Sequence, residues 1–468
     1  MSKELFLELT PFGARAAILR HGELLEVRFA DNEISDIRGQ VFQGRVRSID
    51  KDLDAAFVDC GHGQIAFLAG RDGRYASGQR RDEPLAQQLT EGQSLLVQGS
   101  GVSRDGKKPK VTTDIQITGI FSVFRPKRRS VKLSSKLSET GQSDRLLGLA
   151  KELFPDGGVI FRGAAGEASD DDLRTESERL RGVWAAIEAK ADTAKAPANL
   201  FERKDPMHRV LHDAAQPDIA RIVASDQVAL VRARSYLESW LPLMASRLEC
   251  VPGAFDINGI NEQLDQALEP KVDLAGGGNI IIEQTAALTA IDVNSGGRRA
   301  LDANLDAAKE IARQLRLQRI GGTIVVDFID LESRSDREAL MSGLKTAFAD
   351  DPASVQILPP TPLGLVQISR QRLGKGLRER LSRPCSTCQG GGTTINLKAS
   401  TERLLGELGE RAVSPIPVKI RLAVDLYSYL ASEAAEPFQD YLNSRGLVPP
   451  TLEPDNTLSP AAYRILGA

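Results

Sequence analysis

The chain opens on Lys3-Glu-Leu-Phe-Leu-Glu-Leu-Thr, where apolar and polar residues alternate, and that alternation predicts a first strand. Residues 38–118 carry short alternating segments, Val41-Phe-Gln-Gly-Arg-Val, Ala55-Ala-Phe-Val-Asp, Gln64-Ile-Ala-Phe-Leu and Leu95-Leu-Val-Gln, separated by Gly and Asp turns. About five such strands suit an OB-type barrel. Residues 140–200 read as helical and acidic, with Leu180, Trp184 and Ile187 on one side of a charged helix, and residues 205–245 mix helix and strand. Gly276–Gly278 reads as a hinge. Beyond it, Asn279-Ile-Ile-Ile-Glu and Ala287-Leu-Thr-Ala-Ile-Asp-Val-Asn predict two strands joined by a tight turn. Leu301, Leu305, Ala308, Ile311, Ala312 and Leu315 then recur at helical spacing, Gly321-Gly322 is expected to end that helix, and Thr323-Ile-Val-Val-Asp-Phe-Ile-Asp follows as an apolar strand. Strand, helix, strand in that order predicts a parallel βαβ unit and an α/β fold.

A length of 468 residues is a prior of about three domains, and 41% apolar with 26% charged residues excludes collagen-like, disordered and disulfide-scaffold classes. No run approaches the roughly 18–20 apolar residues of a membrane helix. The N-terminus has acids where a signal peptide would be apolar, and two of the four cysteines share one Cys-x-x-Cys. A reducing, cytoplasmic location is the expectation. The net charge of −3 gives no argument for nucleic acid. Its distribution does, because Arg104 to Lys136 holds ten bases against Asp105 and Asp114. Such a field attracts polyanions, although a charge run taken alone is more often a solvated loop.

Asp292 and Asp327 each interrupt an apolar strand near its C-terminal end, and burial of an unpaired carboxylate costs several kcal/mol, so each is expected to have a partner. Alternation puts Asn294 on the face of Asp292 and Asp330 opposite to Asp327. If the two strands are neighbours, Asp292, Asn294 and Asp327 converge at the carboxyl edge of the sheet. Two carboxylates and an amide oxygen without histidine suit Mg²⁺ or Mn²⁺ better than Zn²⁺; the alternative is two separate capping or arginine-pairing acids. Phe57 and Phe67, among Arg45, Arg47 and the lysines near 107, supply the stacking faces and cations of a single-strand binder. Taken alone, each ring is expected in the core.

Cys385-Ser-Thr-Cys388 opens onto glycines rather than a helix, which argues against a redox pair and for half of a tetrahedral Zn²⁺ site. Cys60, Cys250, a histidine or a second copy of the same pair could complete it. The second copy needs the fewest assumptions.

Ala290-Ile-Asp-Val-Asn-Ser-Gly, Glu310-Ile-Ala-Arg-Gln-Leu-Arg-Leu, Gly321-Gly-Thr-Ile-Val-Val-Asp-Phe-Ile-Asp, Leu363-Gly-Leu-Val-Gln-Ile-Ser-Arg-Gln-Arg and the cysteine pair, in that order, resemble the ribonuclease E/G family. Ala55-Ala-Phe-Val-Asp and Lys107-Lys-Pro-Lys-Val-Thr look like that family's S-one-type RNA-binding barrel. The resemblance implies an RNase H-like domain (1–37 and 203–274) interrupted by the barrel (38–118) and a sensor-like subdomain (119–202). A DNase I-like catalytic subdomain (275–383), a zinc link (384–396) and a small C-terminal domain (397–468) follow.

Carried over, Asp292, Asn294 and Asp327 are the catalytic residues, with a Mg²⁺ on the aspartates. Phe57, Phe67, Lys107, Lys110 and Arg162 contact RNA, and Cys385 and Cys388 share Zn²⁺ across a homodimer, with pairing into tetramers left open. The implied activity is Mg²⁺-dependent cleavage of single-stranded RNA to five-prime phosphate and three-prime hydroxyl ends, in RNA processing or decay. The alternative is an RNA- or ribosome-binding factor of the same descent with reduced or lost cleavage. Without a long disordered C-terminal tail, the expectation is a shorter, ribonuclease G-like member with no degradosome scaffold. Gly163 stands where the family's end sensor has threonine, the loop from Gly296 to Asn304 is short, Asp351-Pro-Ala-Ser lacks the family's base, and Ser386 replaces a proline.

Overall fold

The computed structural model describes residues 3–32, 37–61, 63–76, 82–101, 108–134, 137, 141–216, 218–388, 390–410 and 418–466. The chain divides into two compact units, Met1–Leu377 and Arg378–Ala468.

In the first unit the predicted opening strand, Lys3–Thr10, lies at the centre of a five-stranded sheet ordered Leu248–Cys250, Ile219–Ala224, Lys3–Thr10, Gly13–Arg20, Glu23–Asp31. Both of its faces are buried. Leu5, Leu7, Ala16 and Ile18 meet the helices Pro206–Ala214 and Gln227–Trp240, while Phe6, Ala17, Leu19 and Val27 meet Phe255, Ile260 and Leu264. Two helices of the predicted acidic stretch, Ser143–Leu153 and Asp170–Thr193, accompany a four-stranded sheet that includes Ser122–Arg125 and Gly158–Phe161. Strand Ala198–Phe201 then returns antiparallel to Val41–Asp50 before the chain rejoins the first sheet.

The barrel forms as the alternation predicts. Val41–Asp50, Ala55–Asp59, Ile65–Ala69, Lys110–Thr112 and Ser94–Gly101 pair in that order, and Ser94–Gly101 pairs back onto Val41–Asp50 to close it. Ala56, Val58, Ala66, Leu68, Val97 and Val111 fill its interior. The intervening residues Phe57 and Phe67 face outward and are only half-buried, which corrects the expectation of two core rings.

The predicted βαβ unit is present: Thr289–Asn294, helix Ala300–Leu317 and the parallel strand Gly322–Asp327. Its six-stranded sheet runs Lys271–Asp273, Asn279–Gln284, Thr289–Asn294, Gly322–Asp327, Val366–Arg370, Val355–Ile357. Ile280, Ile282, Ile291, Val293, Ile324 and Val326 point to one face, against Ala307, Ala308, Ile311 and Leu315 of the helix and Leu340 and Leu344 of helix Arg334–Ala347. The other face is open to solvent.

Two local readings change. Gly276–Gly278 is the turn of a hairpin between Lys271–Asp273 and Asn279–Gln284 rather than a hinge. The helix ends at Leu317, with Arg319 in the left-handed region (φ 56°), so the stop comes before Gly321-Gly322. Those glycines instead make room for Arg372, whose Cγ lies 2.8 Å from where a Gly321 Cβ would be.

In the second unit, helices Leu397–Glu410, Val424–Ala431 and Ala435–Ser444 surround a three-stranded sheet centred on Lys419–Leu422. Leu404, Ile420, Leu422, Leu426 and Phe438 form its core.

Candidate functional site

Parallel pairing brings Asp292 and Asp327 into register as direct neighbours on adjacent strands, a strand spacing of about 4.8 Å. Both are exposed, on the sheet face that no helix covers. The expected burial therefore does not occur. Val325 and Ile281 share that open face with the acids, which is why the strands read as apolar on both sides. Asn294 extends the same row, its Nδ2 donating to Asp292 Oδ2 at 2.8 Å and to Asn279 Oδ1 at 3.4 Å. Like charges directly opposite one another destabilise a sheet, so the side-by-side placement is costly unless a cation joins them. The donors are hard oxygens. Among the described residues no group of three or more His, Cys, Asp or Glu side chains comes together as a metal cage, so a cation held here would need further ligands from amide oxygens, water or substrate.

One positioning residue escaped the sequence reading. Asn304, fully buried on helix Ala300–Leu317, accepts from the Ile329 N–H at 3.0 Å and donates to the Ile329 carbonyl at 2.8 Å. It fixes the course of the chain just past Asp327. The signal was an amide on the apolar face of a predicted helix, where a polar group is expected to have a partner.

On the barrel, Phe57 and Phe67 are cross-strand partners with ring centroids 5.8 Å apart, edge to face. Lys108 Nζ lies 4.3 Å from the Phe57 centroid, and Lys110, exposed, pairs with Phe67 through the parallel strand. Lys107 lies outside the described residues, as do Arg104 and Lys136 of the basic run. Part of that run is used internally: Asp114 accepts from Arg125 at 2.6 Å and Arg128 at 2.8 Å, and Lys127 Nζ donates to the Tyr75 carbonyl. Lys108, Lys110 and Lys132 remain outward.

Arg162 is exposed, with Nη1 donating to the Gly119 carbonyl at 2.8 Å. Cys385 and Cys388 share one turn of the second unit, and hydrogen bonds from the Cys388 amide and then the Thr387 amide bring the Cys385 thiol down to about 7. Cys60, in contrast, is buried inside the barrel, where desolvation pushes its thiol up to about 12. No described helix is long and apolar enough to cross a membrane.

Comparison with known proteins covers most of the chain. Residues 116–373 match the family model described as the ribonuclease E/G family. Ribonuclease G of Salmonella typhimurium (strain SL1344) is 30% identical over 428 residues, spanning 87% of this chain and 88% of that protein. Ribonuclease G of Haemophilus influenzae is 27% identical across 95% of this chain and 94% of its own length. Ribonuclease E of a Nostoc species is 35% identical over 80% of this chain and 58% of its own length. The matched span contains the Asp292 and Asp327 strands and the helix between them, and on that extent of similarity the chain belongs to the ribonuclease E/G family.

Proposed function

We propose that this protein is a metal-dependent endoribonuclease that cuts single-stranded RNA, leaving five-prime phosphate and three-prime hydroxyl ends. Family membership supports an endoribonuclease acting in RNA processing. The observation that carries the mechanism is the register pairing of Asp292 with Asp327 on an open sheet face, with Asn294 tied to Asp292. The decayed-factor alternative leaves two adjacent like charges with no purpose.

Asp292 and Asp327 are the residues that would hold the ion, with the Asn294 amide holding Asp292 in place. A magnesium-type ion there supplies Lewis-acid polarisation of the phosphate and a water of lowered pKa. The chain's own contribution is placement. Asn304 holds the backbone beyond Asp327, so the second carboxylate stays in register with the first. The Phe57 and Phe67 rings, with Lys108 and Lys110 beside them, offer bases a stacking surface and phosphates a positive rim, which favours unpaired strands. Arg162 is the charged group available for a five-prime phosphate, and with Gly163 beside it we expect only a weak end preference.

Cys385 and Cys388 fit one half of a structural zinc site. The same pair from a second chain completes four thiolates, which makes zinc the link of a homodimer.

The test is incubation of the purified chain with a short end-labelled RNA, single-stranded or annealed to its complement, with Mg²⁺ or with chelator. Internal cleavage of the single strand only, and only with Mg²⁺, is the expected result. Intact RNA under all conditions, with binding retained, identifies the non-cleaving factor instead.

A further inference from the structure

Register also fixes what flanks the acid pair on the open sheet face. Val325 pairs with Gln367 across antiparallel strands, so Gln367 is the diagonal neighbour of Asp327, a Cα separation of about 7–8 Å. Like Asp327 it is exposed, on a strand whose alternate residues Val366, Ile368 and Arg370 are buried. On the other flank Ile281 pairs with Asp292 and Glu283 with Ala290, which makes the exposed Glu283 the diagonal neighbour of Asp292. The acid pair thus has a third carboxylate on one side and a neutral amide on the other.

That asymmetry governs where a nucleotide can lie. A phosphate held at the acid pair by a cation brings the adjoining sugar and base with it, and Glu283 repels the strand's other phosphates from its own side. The side of Gln367 carries no such charge. Thr323 and Ser369, the next register pair on that face, are exposed hydroxyls, and Val325, partly buried, offers a base an apolar surface beside the amide. The backbone under the amide is fixed. The Gln367 carbonyl accepts from the Leu358 N–H at 2.9 Å, and the turn leading into its strand is closed by the Thr361 N–H on the Leu365 carbonyl and the Gly364 N–H on the Thr361 carbonyl, both at 2.9 Å. The Gln367 side chain has no hydrogen-bond partner among the described residues, so its donors and acceptor face water.

We infer that Gln367 reads the nucleobase next to the scissile phosphate, with its amide on the base edge and Val325 against the ring. An amide places an acceptor beside two donors, the pattern that pairs with the amino group and a ring nitrogen of adenine. Unpaired bases leave those edges open. The inference rests on the endoribonuclease reading and adds to it a base preference at the cut, separate from the stacking surface on the barrel.

The test uses the full chain and four single-stranded oligoribonucleotides that differ only in the base beside the cut, taken on each side of it in turn. Rates are compared within each variant, so a change in overall turnover cancels. The unaltered chain is expected to favour adenine at one of the two positions by about fivefold to a hundredfold, and Gln367→Ala to reduce that ratio to about twofold or less. Gln367→Glu, which has acceptors only, is expected to move the preference to guanine, whose edge offers adjacent donors. Gln356→Ala removes the same amide one strand further out on that face and is expected to leave the ratios as they were. A second arm reads no cleavage: an oligoribonucleotide carrying thiouridine at each position in turn is irradiated on the chain without divalent cation, and an adduct is expected on Val366–Arg370. Absence of a base preference in the unaltered chain, ratios that Gln367→Ala leaves unchanged, or an equal effect of Gln356→Ala overturns the inference. Where no RNA is cut, the adduct alone decides: on that strand it keeps the base site and rejects the nuclease, and elsewhere it rejects both.

Discussion

Arg370 and Asp351 form a closed ion pair inside the six-stranded sheet, Nε to Oδ2 at 2.8 Å and Nη2 to Oδ1 at 2.9 Å, with side chains 2% and 3% exposed. Arg370 Nη1 also donates to the Ile320 carbonyl at 2.6 Å. Asp351 therefore acts on the architecture of the six-stranded sheet, in a segment where the family resemblance leads one to look for a base on the substrate side.

Asp351→Ala should destabilise the first unit by about 3–5 kcal/mol, because it strands a buried guanidinium. Urea denaturation checks this. A cost below about 1 kcal/mol would mean that water replaces the carboxylate and the pair is not closed.

Phe57→Ala should weaken binding of single-stranded RNA by about 1–3 kcal/mol if the ring stacks on a base. The ring is half-buried and outside the barrel core, so the melting temperature should move little. A large fall in melting temperature, with binding that merely tracks the folded fraction, returns Phe57 to a packing role.

Lys127 gives a pH dependence of stability. Burial pushes its ammonium down to about 8, with Asp114 and Glu188 opposing. Between that value and the unfolded value near 10.5 the unfolded chain binds more protons. Stability from this group therefore rises with pH across that window and is lowest below it. Lys127→Met should stabilise the protein at neutral pH by about 3 kcal/mol, with the gain shrinking towards zero as the pH passes 10.5. A gain that is the same at both ends of the window contradicts the assignment.

Zinc content tests the cysteine pair. Two thiolates per chain and four ligands per ion predict one zinc for every two chains, and Cys385→Ser should lose both zinc and dimer, since the two equilibria are linked. Elemental analysis giving one zinc per chain, or a fully dimeric Cys385→Ser protein, rejects the shared site.

Much of the sheet that carries Asp292 and Asp327 was legible because its signals are local: period-two alternation in Thr289–Asn294, helical spacing in Ala300–Leu317, and the acids at the strand ends. Exposure of Asp292 and Asp327 was not, since local pattern does not reveal which face a helix will cover, and Val325 and Ile281 made the open face look buried. The helix end at Arg319 was hidden for a related reason. An arginine in the left-handed region is rare, and Gly321-Gly322 offered the ordinary stop. The lysines near 107 were expected beside Phe57 and Phe67 from their residue types and the family resemblance, and what brings Lys108 and Lys110 there is a strand pairing between segments more than forty residues apart.

Asp292 and Asp327 are proposed to work as one cation-binding pair in RNA hydrolysis. The most direct measurement is the single-turnover cleavage rate of a short single-stranded RNA by Asp292→Asn and Asp327→Asn, with RNA affinity measured in parallel. The ion acts on charge that develops in the transition state, so each variant should cleave at least about a thousandfold more slowly with affinity nearly unchanged. Rates within about tenfold of the unaltered protein, a barrier change of only ~1.4 kcal/mol, would contradict it.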